Sequence, residues 1–265
     1  MKLPIYQVDA FTDHLFAGNP AAVVPIGDDW PMDDVLQKIA IENNLSETAF
    51  FQDQGDVFEL RWFTPEFEID LCGHATLASA HVIYNNLGYD KDEIIFETMS
   101  GELVVKRKDH LLQLDFPSRK PEPAEMKADL LKAFSIAPKE VLKSRDWVLV
   151  YDSEADVRAL KVDESMLDRD DFDIGGIICT AQGDGVDIVS RFFFPGGALF
   201  EDPVTGSSHC SLIPYWSEKL GKKELLAYQL SERKGYLNCT DLGDRVLIAG
   251  NAVTYLIGEI TIEQA

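Results

Sequence analysis

The sequence predicts an α+β protein built from two related halves, and three observations carry that prediction. Segments with the two-residue alternation of strands are interleaved with longer stretches of helical spacing. A proline cluster, Pro117-Ser-Arg-Lys-Pro-Glu-Pro123, interrupts the pattern near the middle, and three prolines in seven residues cannot continue a sheet interior. The same unit then occurs on both sides of the break. Arg61-Trp-Phe-Thr-Pro65 is followed by Cys72-Gly-His-Ala-Thr76, and Arg191-Phe-Phe-Phe-Pro195 by Thr205-Gly-Ser-Ser-His209. The offset is 130 residues at the arginines and 133 at the glycines, about half of the 265-residue chain. Such an internal echo points to duplication, with halves at 1–117 and 118–265 and a last strand free to pack back on the first half.

The elements follow in order. Ile5–Phe11 and Ala21–Val24 read as strands, and Asp33–Asn44 as a helix through Val35, Leu36, Ile39 and Ala40. Strand character returns at Glu47–Gln52 and Val57–Phe63. A helix is expected from about His74 to Asn86, stopped at Leu87-Gly88. Glu93–Thr98, Glu102–Arg107 and Leu111–Phe116 read as three short strands separated by turn residues. Beyond the break come a helix near Glu125–Phe134 and strands at Trp147–Val150, Ile174–Cys179 and Asp187–Phe194. A helix over about Ser207–Leu220 precedes closing strands near Leu225–Leu230, Arg245–Ile248 and Ala252–Ile262.

Composition removes several classes of function. A formal charge of −22 with no cationic excess in either half argues against a nucleic-acid binder. The apolar share of 46% supports packed cores rather than disorder. The N-terminal residues lack an apolar signal core, and no apolar run reaches the roughly 18 residues of a membrane helix. Cys72, Cys179, Cys210 and Cys239 are widely spaced and read as reduced thiols, so a cytoplasmic protein without membrane partners is expected.

The paired loops are the chemical feature. A helix start exposes unpaired N–H groups at the positive end of a dipole, and glycine lets a ligand approach that backbone. Starts at Gly73-His74 and Gly206-Ser207 could together hold a small carboxylate; the plainer reading is two ordinary helix N-termini. Glu47 sits at the edge of the apolar strand in Asn44-Leu-Ser-Glu-Thr-Ala-Phe-Phe51, where desolvation tunes a carboxylate for proton transfer; it reads otherwise as a solvent-facing glutamate at a strand start. Asp202, in Glu201-Asp-Pro-Val-Thr-Gly-Ser207, lies just before the second start and reads otherwise as an Asx-Pro turn. His74 is the stronger histidine by its place in the first loop; His14, His81 and His110 read as surface or packing residues. Cys72, His74, His209 and Cys210 lack usual zinc spacings, so no metal is expected. No nucleophile elbow, dinucleotide loop or Walker lysine is present, so the sequence supplies no cofactor motif.

At these residues the chain resembles the phenazine-biosynthesis PhzF-like isomerase family, within the diaminopimelate-epimerase-like fold. The matching segments are Gln7-Val-Asp-Ala-Phe-Thr12, Phe16-Ala-Gly-Asn-Pro-Ala-Ala-Val-Val24, Asn44–Phe50, Arg61–Pro65, Asp70-Leu-Cys-Gly-His-Ala-Thr76, Arg191–Pro195 and Glu201–His209. About 118–175 matches poorly. The resemblance implies two pseudo-symmetric halves, each a curved, mostly antiparallel sheet around a central helix, with the active site between them and a homodimeric assembly. It implies cofactor-free proton transfer, with Glu47 as the catalytic carboxylate. His74, Asp202 and Ser207 would line the substrate site, His74 and Asp202 orienting substrate or shuttling a second proton, and Gly73 and Gly206 would offer backbone N–H groups. Epimerases of this fold oppose two cysteines, whereas Cys72 here is echoed by Thr205. Single-base isomerisation of a small carboxylate-bearing metabolite is therefore the expected function. An amino-acid or hydroxy-acid epimerase, or a non-catalytic metabolite binder, stays open.

Overall fold

A computed structural model describes residues 1–171, 175–197 and 199–262. The chain divides into two compact units, Met1–Asp115 with Ala249–Ala265, and Phe116–Ile248.

The first unit begins with β1 (Lys2–Ala10) and β2 (Asn19–Ile26), an antiparallel pair. Helix α1 (Asp33–Asn43) carries the chain to β3 (Glu47–Asp53), which lies parallel to β2, and then to β4 (Phe58–Phe63), antiparallel to β3. The two-residue β5 (Glu68–Ile69) folds back on the end of β4. Helix α2 (Gly73–Asn85) then leads to β6 (Glu93–Thr98), parallel to β4, and to β7 (Gly101–Lys108) and β8 (Leu111–Pro117), each antiparallel to its predecessor. The C-terminal strand, Ala252–Thr261, pairs antiparallel with β1.

The two helices of this unit differ in burial for a reason visible in their residues. In α1, Leu36, Ile39 and Ala40 form one apolar face against Val24, Phe50 and Phe63, while Asp33 and Asp34 complement the dipole at its start. Asn44 closes it in the left-handed conformation at φ 49°. In α2 every residue from Gly73 to Tyr84 except His81 is buried. Its Gly, Ala, Ser and Thr positions let β1, β2, β3 and the C-terminal strand close around it, and a helix without a polar face belongs inside.

The second unit contains β9 (Glu122–Pro123), the single turn α3 (Ala128–Leu131), β10 (Glu140–Lys143) and β11 (Trp147–Val150). It continues with α4 (Glu154–Ala159), β12 (Ile177–Gln182), β13 (Ile188–Phe193), β14 (Glu201–Asp202), α5 (His209–Leu220), β15 (Glu224–Gln229), β16 (Gly235–Asp241) and most of β17 (Arg245–Gly250), whose last two residues belong to the first unit. Its pairings repeat the first unit. The strand β11 is parallel to β12, β12 antiparallel to β13, β13 antiparallel to the short β14 and parallel to β15, and β15 antiparallel to β16.

Each copy carries the same clasp. Arg61 Nε and Nη2 reach the two carboxylate oxygens of Glu68 on β5, both at 2.7 Å. Arg191 Nε and Nη2 reach Glu201 on β14 at 2.7 and 2.8 Å. The guanidinium groups lie over Phe63 and Phe193, 5.2 and 4.9 Å from the ring centres. A bidentate arginine pins each short strand, and with it the loop that enters α2 or α5.

Four expectations change. The helix near Glu125–Phe134 is only the four-residue α3, because Lys127 before it is extended and Lys132 through Phe134 make tighter i→i−3 bonds. One turn suffices to bury Met126, Leu130, Ala133 and Phe134. The helix expected from Ser207 starts at His209, since Gly206–Ser208 forms a turn in which His209 N–H donates to Gly206 at 3.0 Å. The strand expected at Ile174–Cys179 begins at Ile177, and Ile174 lies outside the described residues. Strand β16 was not anticipated, because Tyr236 and Asn238 alternate outward in an otherwise turn-rich stretch. Pro214 inside α5 removes the N–H that Cys210 C=O would accept, and Arg119 N–H takes that carbonyl instead at 2.9 Å. Among the described residues no helix is long and apolar enough to cross a membrane.

Candidate active site

The parallel strands β2 and β3 place Asn19 and Glu47, their first residues, at one end of the sheet. Helix α2 begins beside them, with Cys72 extended at the N-cap and no side chain capping the first turn. These three element ends make one cluster around His74. Its Nε2 lies 2.9 Å from Glu47 Oε2. Its Nδ1 lies 3.2 Å from Asn19 Nδ2 and 3.5 Å from Cys72 Sγ. Asn19 Oδ1 in turn accepts from Ser46 Oγ at 3.5 Å. Asn19, Cys72 and His74 are buried, whereas the Glu47 side chain keeps 15% of its surface exposed.

Burial alone would lower the His74 pKa, but the adjoining Cys72 sulfur, and after it the Glu47 carboxylate, reverse this and raise it well above the usual 6.5. Burial, with Glu47 nearby, pushes Cys72 up to about 11. The cluster therefore sets a carboxyl group, an imidazole and a thiol side by side. One ligand atom from each of Glu47, Cys72 and His74 lies within 4.8 Å of the others. A cation held there would first have to displace the Cys72 proton.

In the second unit the site candidates share one loop. Asp202 ends β14 and accepts a hydrogen bond from Thr205 Oγ1. Buried Gln229 ties the loop together, accepting from Thr205 N–H at 2.9 Å and donating to Asp202 C=O at 2.8 Å. Gly206 and Ser207 follow in the turn before α5, and Ser207 C=O accepts from Cys210 N–H. His209 donates through Nδ1 to Thr205 C=O at 2.9 Å, and burial pushes its pKa down to about 4.

The repeat shows what is not duplicated. Thr48 opposes Phe63 on β4, and Ile177 opposes Phe193 on β13. Glu47, one residue before Thr48, therefore corresponds to Gly176. A Cβ at Gly176 would lie 2.6 Å from Phe193 O, so no side chain fits there. Sequence reasoning had singled out Glu47 and His74. It missed Asn19 and Gln229, which are buried amides with no local signature beyond the glycine that precedes Asn19.

The family model for phenazine biosynthesis-like proteins matches residues 8–258. The chain belongs to this family. An uncharacterized isomerase of Pseudomonas aeruginosa is 48% identical over 98% of this chain and 99% of the relative. The crystal structure of a PhzF-family phenazine biosynthesis protein from Enterococcus faecalis matches with a TM-score of 0.94 at 44% identity, over 99% of this chain and 100% of that one. A probable proline racemase from Agrobacterium radiobacter, 9% identical, matches with a TM-score of 0.65 over 98% and 93% of the two chains, which shows shared fold alone. The architecture is thus the α+β, diaminopimelate-epimerase-like fold of PhzF proteins, and the chain is an enzyme of the isomerase class.

Proposed function

We propose that this isomerase moves a proton on a small carboxylate-bearing metabolite by single-base catalysis without a cofactor. The observation that carries the reading is the asymmetry of the repeat: a partly exposed Glu47 against His74 in one unit, and Gly176 at the matching position in the other. Glu47 takes the proton from a carbon next to an unsaturated or carbonyl-bearing group and returns it to another carbon. His74 polarises the carboxylate and orients substrate. The first-turn amides at Gly73 anchor the substrate carboxylate. Asp202, Gly206 and Ser207 are assigned the same kind of task from the second unit, Asp202 orienting substrate or relaying a proton, the other two binding the anion. A two-base racemase is disfavoured, because Cys72 is a buried thiol and its counterpart is Thr205. The reading includes a cytoplasmic homodimer, which sedimentation of the purified protein tests directly.

A panel of small carboxylates, including dihydro-hydroxyanthranilate-like acids, amino acids and hydroxy acids, is first screened by thermal shift. Compounds that stabilise the protein are then incubated with it in D₂O. Migration of unsaturation with deuterium uptake supports the reading. Inversion of a stereocentre without migration identifies an epimerase, and stabilisation without exchange identifies a binding protein.

A further inference from the structure

Between β14 and α5 the chain turns around one buried amide. Gln229 is the last residue of β15, level with Ser190 of β13 on one side and Gly235 of β16 on the other, and it is fully buried. Two backbone groups fix which way round its amide lies. Thr205 N–H, 2.9 Å away, needs an acceptor, and Asp202 C=O, 2.8 Å away, needs a donor. An amide oxygen only accepts and an amide nitrogen only donates, so Oε1 takes the N–H and Nε2 serves the carbonyl. The reverse placement would set donor against donor and acceptor against acceptor.

The same nitrogen stands 3.3 Å from Thr205 Oγ1 and donates to it. A hydroxyl has one hydrogen, and that of Thr205 goes to Asp202 Oδ2. The hydrogen bonds therefore run one way: from Thr205 N–H to Gln229 Oε1, from Gln229 Nε2 to Thr205 Oγ1, and from that hydroxyl to the carboxylate. Each bond polarises the next. Thr205 is held at its other end as well, because its C=O accepts from Ser208 Oγ at 2.7 Å and from His209 Nδ1 at 2.9 Å.

We infer that Thr205 and Gln229 are positioning residues that commit Asp202 Oδ2 as a hydrogen-bond acceptor, and so hold this carboxylate in its ionised form. A donor aimed at a carboxylate favours the charged state. Asp202 then enters a reaction as an acceptor of a proton or a hydrogen bond, not as the acid that supplies one. Thr205, the counterpart of Cys72 in the repeat, is a fixed donor, which gives its hydroxyl a task without asking it to act as a base. The charged and titratable groups on the surrounding elements are Glu201 and Arg191, joined to each other, His209 of α5, and Glu232, Arg233 and Lys234 in the turn that Ser231 ties to Pro203 C=O. Substituting Thr205 or Gln229 with an uncharged residue changes none of these charges, so their effect on Asp202 cancels between variants. The inference rests on the reading of Asp202 as a substrate-site residue only for its consequence in turnover.

The test uses the whole chain without substrate, so it succeeds or fails independently of the proposed reaction. Protein labelled with ¹³C and ¹⁵N and assigned through its backbone is titrated by NMR, following the Asp202 carboxyl carbon and the Gln229 side-chain NH₂. Thr205→Val keeps the shape of the side chain and removes the hydroxyl, and the Asp202 midpoint rises by about one pH unit or more. Thr205→Ser restores the donor and returns the midpoint to that of the wild type. Gln229→Leu raises it by less, because Thr205 keeps its hydroxyl and loses the group that orients it. In the wild type the Gln229 NH₂ resonances move with the Asp202 midpoint, since protonation removes the anionic end of the chain of bonds. The inference is overturned if folded Thr205→Val titrates Asp202 at the wild-type midpoint, or if Thr205→Ser shifts it as far as Thr205→Val does. A folded Gln229→Leu with an unmoved midpoint overturns it too, as do Gln229 resonances that stay fixed while Asp202 titrates. That last measurement needs no variant and decides alone should the substitutions not fold.

Discussion

Glu47 keeps 15% of its side chain exposed while the His74 side chain it faces keeps 5%, so the carboxylate is the more open member of the pair. A group that both takes and returns the substrate proton cannot be replaced by its amide without losing that step. Glu47→Gln is expected to keep the fold and lower turnover by about 10²–10⁴-fold, measured as deuterium uptake on whichever carboxylate the screen identifies. Near wild-type uptake would remove Glu47 from the mechanism. The cysteines make the complementary statement. Burial raises Cys72 to about 11, Cys179 and Cys210 to about 12, and Cys239 further still. Thiols in that condition are neutral and shielded at pH 8. Native protein should release almost no chromophore from an aromatic disulfide reagent at that pH, and denatured protein should release four equivalents, one per free cysteine. Fast labelling of Cys72 in the native state would reopen thiol chemistry at the site.

At the scale of elements, the loop between β1 and β2 decides where Asn19 sits. Phe11 and Phe16 adopt left-handed conformations at φ 62° and 68° although neither is glycine, and such strain persists only where surrounding bonds over-determine it. Here Phe11 N–H and Thr12 N–H both donate to Asn251 C=O, and Asp9 holds Phe16. Gly18→Ala adds a methyl against Ala10 O and a left-handed residue that costs about 1–2 kcal/mol by itself. Urea unfolding should show a loss of about 2 kcal/mol or more, and the His74 Nδ1 resonance should shift as Asn19 is displaced. A variant as stable as the parent with an unmoved resonance would detach the loop from the cluster. The same elements show what a linear chain can and cannot reveal. The helix α2 was legible because helix signals run from about His74 to Asn86 and stop at Leu87-Gly88. Glu47 was legible because an acid at the head of Thr-Ala-Phe-Phe needs an explanation. The contact of Asn19 with His74 joins residues 55 apart in sequence and leaves no local pattern. The α3 segment misled for the opposite reason: Met126, Leu130 and Phe134 have helical spacing, yet a single turn, with extended chain before it and tighter turns after it, buries them all.

At the scale of the whole molecule, the charge of −22 blurs any reading of stability against pH, because protonation relieves repulsion everywhere at once. Two histidines, buried His209 and half-buried His81, nevertheless leave a separable mark. Burial pushes both His81 and His209 down to about 4 from 6.5. His81 is held neutral by its neighbours as well, since Asn85 donates to its Nδ1 and its Nε2 meets Thr254 Oγ1 at 2.9 Å. The unfolded chain binds these protons near pH 6.5 and the folded chain does not until about 4. Between those values the unfolded state holds more protons, so stability falls as the pH drops, by up to about 1.4 kcal/mol per pH unit for each histidine. His74 has the opposite sign: its contribution is complete below 6.5 and is lost as the pH rises through its folded value. Most exposed carboxylates stay ionised above pH 5, which leaves 6.5 to 5 as the window where the neutral histidines dominate. His81→Gln can still donate to Thr254 and accept from Asn85, and its net charge differs from that of the parent by at most one, so the global term nearly cancels in the comparison. Urea unfolding of both proteins across that window should give a shallower pH slope for the variant, by about one proton's worth at the acid end. Equal slopes would mean that His81 titrates alike in the folded and unfolded chain, and the packing of α2 against the C-terminal strand would then have to tolerate a charged imidazole.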